Sequence, residues 1–150
     1  MKHGAWFACL LVLSSLSPAC SDSDDGAESA RSSSPIVGTW KMNGFQTRTS
    51  GADWADIDDL PCRLDNTEEF GADGKWALYE GNTRCGQGGT GVLRGQWRLE
   101  ASDTKIIFTY DDYGGEYEST IEKLTETELV YTESTGATDG SQNRKSYTKL

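Results

Sequence analysis

From residue 36 to the C-terminus, apolar and polar residues alternate with a period of two, and Gly, Asp and Asn punctuate the runs. Half-buried strands joined by tight turns give this pattern. In "VLRGQWRLE", Leu93, Gly95, Trp97 and Leu99 share one face, and Arg94, Gln96, Arg98 and Glu100 share the other. After the turn "ASDT", "KIIFTYD" groups Ile106, Phe108 and Tyr110, and "EYESTIEK" groups Tyr117, Ser119 and Ile121. "IVGTWKMNGF" predicts the first strand, "TEEF" and "KWALYE" flank a hairpin turn "GADG", and "ELVYTES" and "NRKSYTKL" predict the last two strands. Small residues Ala77, Gly95 and Ser119 are expected inward, leaving room between the aromatics. "DWADIDDL" (Asp53 to Leu60) predicts a short helix ended by Pro61. About eight strands with short connections make an all-β, antiparallel up-and-down barrel the expected fold, because closure disposes of the sheet edges. An open two-sheet β-sandwich is the runner-up.

Before residue 35 the pattern changes. A basic start (Met1-Lys2-His3) precedes an apolar run from Ala5 to Leu13, well short of the ~20 residues that span a bilayer as a helix. Small residues Ser17 and Ala19 stand just before Cys20. Residues 1–19 are therefore expected to be a cleaved signal peptide. Residues 20–34 carry Asp22, Asp24, Asp25 and Glu28 among serines and no large apolar residue, the composition of a disordered tether. Residues 35–150 are long enough for one domain.

Leu16, Ala19 and Cys20 resemble a bacterial lipobox, with the leucine one position early and Pro18 beside the cut. That resemblance implies lipid on Cys20 and anchorage in the bacterial cell envelope, at the outer membrane, facing the periplasm or the surface. Plain secretion with Cys20 at the N-terminus is the alternative. Of four cysteines, Cys9 leaves with the leader, and lipidation of Cys20 leaves Cys62 and Cys85 as one pair. An exported chain favours a disulfide between them, worth roughly 3 kcal/mol on the chain-entropy model. A zinc site would need further ligands, and the only histidine, His3, belongs to the leader.

Charge and residue types narrow the function. With 24 acidic against 14 basic residues, the net charge is −10, which argues against nucleic acid as a partner and against lying flat on anionic lipid. Membrane contact then falls to the lipid and tether. The clusters "DIDDL", "DNTEE" and "DDYGGEYE" lack the alternating ligands and central glycine of an EF-hand and read as solvated surface, with weak calcium binding a minor alternative. No metal and no cofactor are expected. Without a histidine in the exported part, a Ser-His-Asp triad, a Cys-His pair and HExxH are excluded. No catalytic residue stands out, and the chain reads as a binding protein, not an enzyme.

"IVGTW" at the first strand resembles the glycine-x-tryptophan opening of lipocalins. The layout is similar to the small lipocalin-like domains of bacterial lipoproteins: Trp40, Cys62 in an Asp-rich loop, Phe70 with Asp73-Gly74, Cys85, Gly95 with Trp97, and Leu124 with Thr127 and Leu129. The resemblance implies an eight-stranded barrel that can enclose a small apolar ligand. Trp40, Trp97, Phe108 and Tyr117 are the candidate lining residues, although Trp40, Trp76 and Trp97 could equally fill a small barrel. In larger lipocalins a late arginine packs across the first-strand tryptophan, and Arg144 is the candidate here. The alternative function is an envelope interaction module with a filled barrel and no small-molecule ligand.

The leader reading makes a direct prediction. Wild-type protein in a bacterial host should take up labelled palmitate and fractionate with membranes, and Cys20→Ala should be unlabelled and soluble. Wild-type protein that takes up no label and is found free would refute the lipid anchor.

Overall fold

The computed structural model describes residues 34–57, 61–83, 85 and 91–150. Cys20, the expected signal peptide and the tether up to residue 33 lie outside the described residues. The elements are β1 (Gly38–Arg48), β2 (Ala55–Asp56), α1 (Pro61–Leu64), β3 (Thr67–Phe70), β4 (Lys75–Tyr79), β5 (Val92–Glu100), β6 (Lys105–Tyr110), β7 (Glu116–Leu124), β8 (Glu128–Ser134) and β9 (Gln142–Lys149). Eight of these strands, β1 and β3 to β9, pair antiparallel with their neighbours in chain order, and β9 returns to β1. The result is a closed up-and-down barrel. No helix among the described residues is long and apolar enough to cross a membrane.

The alternation read from the sequence becomes the inside and outside of this barrel. Gly95, Trp97 and Leu99 of β5 stand opposite Tyr110, Phe108 and Ile106 of β6, and Ile106 and Phe108 stand opposite Ser119 and Tyr117 of β7. Directly paired residues point to the same face, so this set lines the interior. Ala77 corrects the expectation. It pairs with Glu69 and Arg94 and lies on the outer face, one residue out of phase with inward Trp76. Gly95 also makes no room for a ligand. A Cβ there would lie 2.1 Å from the Thr109 carbonyl oxygen, so the glycine lets β6 approach β5 closely.

The short helix falls elsewhere than expected. Ala55 and Asp56 are extended and pair with Thr47 and Gln46, alongside the part of β1 that β3 does not reach. Pro61 begins α1 instead of ending a helix. Proline has no N–H to lose in a first turn, and its fixed φ suits that position.

One end of the barrel is densely packed. Ile36, Trp40, Phe70, Trp97, Ile106, Leu129 and Tyr147 are all at most 3% exposed. Phe70 meets the Trp97 ring edge-on at 5.5 Å. Both indole N–H groups find carbonyls: Trp40 donates to Ile36 at 2.7 Å and Trp97 to Gly71 at 2.9 Å. At the opposite end, Cys62 of α1 is disulfide-bonded to Cys85, with their Cα atoms 5.1 Å apart. Around it, Gly81 N–H donates to Asn66 Oδ1 at 3.1 Å and Thr83 N–H to Asp65 Oδ2 at 2.9 Å. The Arg63 guanidinium lies 4.3 Å from the centre of the Phe45 ring, packing α1 onto the far end of β1.

The disulfide staples this end, so Cys85→Ala should cost on the order of 2–5 kcal/mol, as removal of a disulfide does in small secreted domains. Urea unfolding would measure the loss. Peptide mapping without reductant should recover Cys62 joined to Cys85, and two free thiols in exported protein would refute the pairing.

Candidate ligand cavity

Because β3–β9 run up and down, one set of loops gathers at the packed end and the other at the disulfide end. At the disulfide end the described residues leave the interior unfilled. A cavity of about 690 Å³ opens there, lined on its inner wall by Leu93, Phe108, Tyr110, Tyr117, Ser119 and Glu133. Phe108 forms its floor: its ring also meets Trp76 at 5.2 Å, Phe70 at 6.0 Å and Tyr131 at 6.1 Å in the core below. Tyr110 stands 4.9 Å from Tyr117 and 6.2 Å from Tyr113, each pair edge-on, so the three rings form a corner at the mouth. Burial, followed by the charges of Glu133 and Glu68, pushes the Tyr110 hydroxyl well above its ordinary range.

Of the candidate lining residues, Phe108 and Tyr117 face this cavity, whereas Trp40 and Trp97 are in the packed core at the other end. Parity along a strand assigns a face but not a height, which is why the four looked alike in the sequence. Arg144 does not cover Trp40. It lies on the outer wall, 2.7 Å from Glu122 and 3.3 Å from Gln46. Lys149 takes the place instead: its ammonium sits 5.1 Å from the Trp40 ring centre and donates to the Pro35 carbonyl at 2.8 Å. Gly38 of "GTW" (φ 138°) accommodates it, because a Cβ there would come within 2.6 Å of Lys149 Cε.

The sequence reading missed a polar cluster beneath the cavity floor. Glu68 is fully buried inside the barrel. It accepts hydrogen bonds from Tyr131 at 2.9 Å, from Trp76 Nε1 at 3.3 Å and from Tyr147. The two tyrosine rings stack at 5.6 Å. Burial first, then the Glu68 charge, holds both hydroxyls well above the ordinary tyrosine range, so they remain donors. Higher up, Lys145 bridges both oxygens of Glu133 at 2.9 and 3.0 Å. A signal for Glu68 was present: it has the parity of Phe70, two residues on, and therefore points inward. Among the described residues no group of three or more His, Cys, Asp and Glu is arranged to hold a metal ion.

Residues 36–131 match the model of the lipocalin-like domain family. The crystal structure of a DUF4847 family protein from Bacteroides vulgatus is similar at a TM-score of 0.49 and 12% identity, over 77% of this chain and 95% of that one. No curated protein matches the chain.

The buried cluster yields a two-step prediction. Glu68→Leu leaves the Tyr131, Tyr147 and Trp76 donors short of an acceptor and should cost about 3 kcal/mol. Adding Tyr131→Phe and Tyr147→Phe should recover most of that loss, because polar partners removed together leave little unsatisfied. Urea midpoints of the single and triple variants decide it; a triple variant weaker than the single one would refute the account.

Proposed function

This chain belongs to the lipocalin-like domain family, and on that premise we propose that it binds a small apolar molecule in the open end of its barrel while lipid on Cys20 holds it at a bacterial cell envelope. The cavity carries the binding half of the reading. Its volume of about 690 Å³ falls within the roughly 300–1,000 Å³ typical of small-molecule sites. Its wall sets apolar surface from Leu93, Phe108 and the tyrosine rings beside at least as much polar surface, including Ser119, Thr132, Glu133 and the rim residue Gln142. Such a wall can bury the apolar part of a ligand while its polar groups orient the rest. Lipocalin-like barrels are typically non-enzymatic binding folds, which favours a binder over an enzyme. The anchoring half is supported by the leader, the lipobox-like residues and the acidic tether.

A barrel that acts only through its loops has no use for this interior space, so the cavity favours the carrier over the interaction module. Trp76 can report occupancy, since its ring meets Tyr110 of the cavity wall edge-on at 5.3 Å. Trp54 is on the outer wall under Arg48, 4.2 Å from its ring centre, and Trp54→Phe removes that unrelated emission. In this background, neutral and cationic lipids, sterols and pigments should be screened for a saturable change in emission. At least one should bind, and Ser119→Phe, which puts a ring into the cavity, should abolish the response while thermal unfolding stays cooperative. A folded protein that responds to none of them would shift the assignment to the interaction module.

A further inference from the structure

We propose that the cavity selects a cationic amphiphile: an alkylammonium head seated in the corner formed by Tyr110, Tyr113 and Tyr117, with its apolar tail passing Leu93 toward Phe108. This inference rests on the cavity being the ligand site and adds the charge of the ligand.

Three observations carry it. First, the tyrosine rings meet at 79° and 69° instead of stacking, so a group placed in the corner meets more than one ring face. A cation is drawn to such faces by the ring quadrupole. Tyr113 and Tyr117 are 71% and 48% exposed, an aromatic surface left in water at the mouth of a cavity. Second, the cavity lining includes Glu116, Glu118 and Glu133 but no lysine or arginine. Arg98, Lys105 and Lys145 offset part of this charge from 2.7, 2.8 and 2.9 Å, at positions outside the cavity lining. Third, the chain as a whole carries a charge of −10, which attracts cations to the mouth and repels anions. Burial gives most of the upward push on the Tyr110 hydroxyl, and the smaller part from Glu133 and Glu68 agrees in sign, because a field that opposes a phenolate favours an ammonium. A neutral head would gain only from burial, and an anionic head would lose against the carboxylates.

Calorimetric titration of the purified protein with decyltrimethylammonium, decanol and decanoate, all below their micellar concentrations, separates charge from tail. The cation should bind at least about tenfold more tightly than the alcohol, and the carboxylate should not saturate. In Tyr113→Leu/Tyr117→Leu, which keeps apolar volume but removes two ring faces, the cation should lose about tenfold in affinity while decanol is unchanged. Equal binding of all three probes, or a loss in the variant shared by the cation and the alcohol, would overturn the cationic head and leave the cavity reading standing. Binding of none of them would overturn both.

Discussion

The pairing of β9 with β1 is the constraint on which the rest of the structure depends. It runs from Trp40 opposite Lys149 to Arg48 opposite Gln142, with one irregularity between Met42 and Gly44. It joins the two ends of the domain, so it carries the loop-closure entropy of nearly the whole folded chain. In return it leaves the barrel strands with no long open edge for another chain to pair with. The same register lays Lys149 across Trp40, places Tyr147 beside Met42 and puts Lys145 next to Phe45. Each functional feature inside the barrel takes its position from that seam.

Closure also divides the interior into two regions. Near the chain ends, large side chains fill the barrel as expected for eight strands, and their few polar atoms are matched locally, as in the indole donors of Trp40 and Trp97. At the disulfide end, Ser119 and Leu93 replace tryptophans on the inner wall, and the interior stays open. α1 and the Cys62–Cys85 bridge brace the β1 side of that end through Arg63 and Phe45. The β6–β7 side carries the tyrosines and is left accessible. Stability is thus concentrated at one end, where a tightly packed base can hold a less filled mouth in shape.

How much of this was legible in the sequence follows from what alternation encodes. Period two identifies a strand and its faces, so the groupings of β5, β6 and β7 appear in the sequence as they do in the barrel. It does not encode height along the barrel axis, so Trp97 and Phe108, neighbours in register, could not be sorted into packed base and cavity floor. Composition misled in two places. Ala77, expected inward, is out of phase with Trp76 beside it, which claims the interior. Arg144 matches the late arginine of larger lipocalins by residue type, but it has the wrong parity relative to inward Tyr147, and Lys149 has the right one. Glu68 is an acid inside the barrel, a place chemistry alone does not suggest, yet the parity of "TEEF" points it there. In each case phase along the strand was the better guide than the chemistry of the side chain.

Glu68 shows why a barrel of this kind tolerates a buried acid. Removing a carboxylate from water costs several kcal/mol even after relaxation, and three donors around it offset that cost without adding net affinity for the fold. What the cluster contributes is register. Glu68 comes from β3, Trp76 from β4, Tyr131 from β8 and Tyr147 from β9. A slip of one residue in any of these strands turns its member to the outer face and leaves the other polar groups buried with fewer partners. Apolar residues at the same positions would bury area about equally well in a slipped pairing, so they would discriminate less. Phe108 rests on Trp76 and Tyr131, so the register that this cluster enforces also sets where the cavity floor lies. The depth of the cavity is therefore determined by a polar network that does not line it.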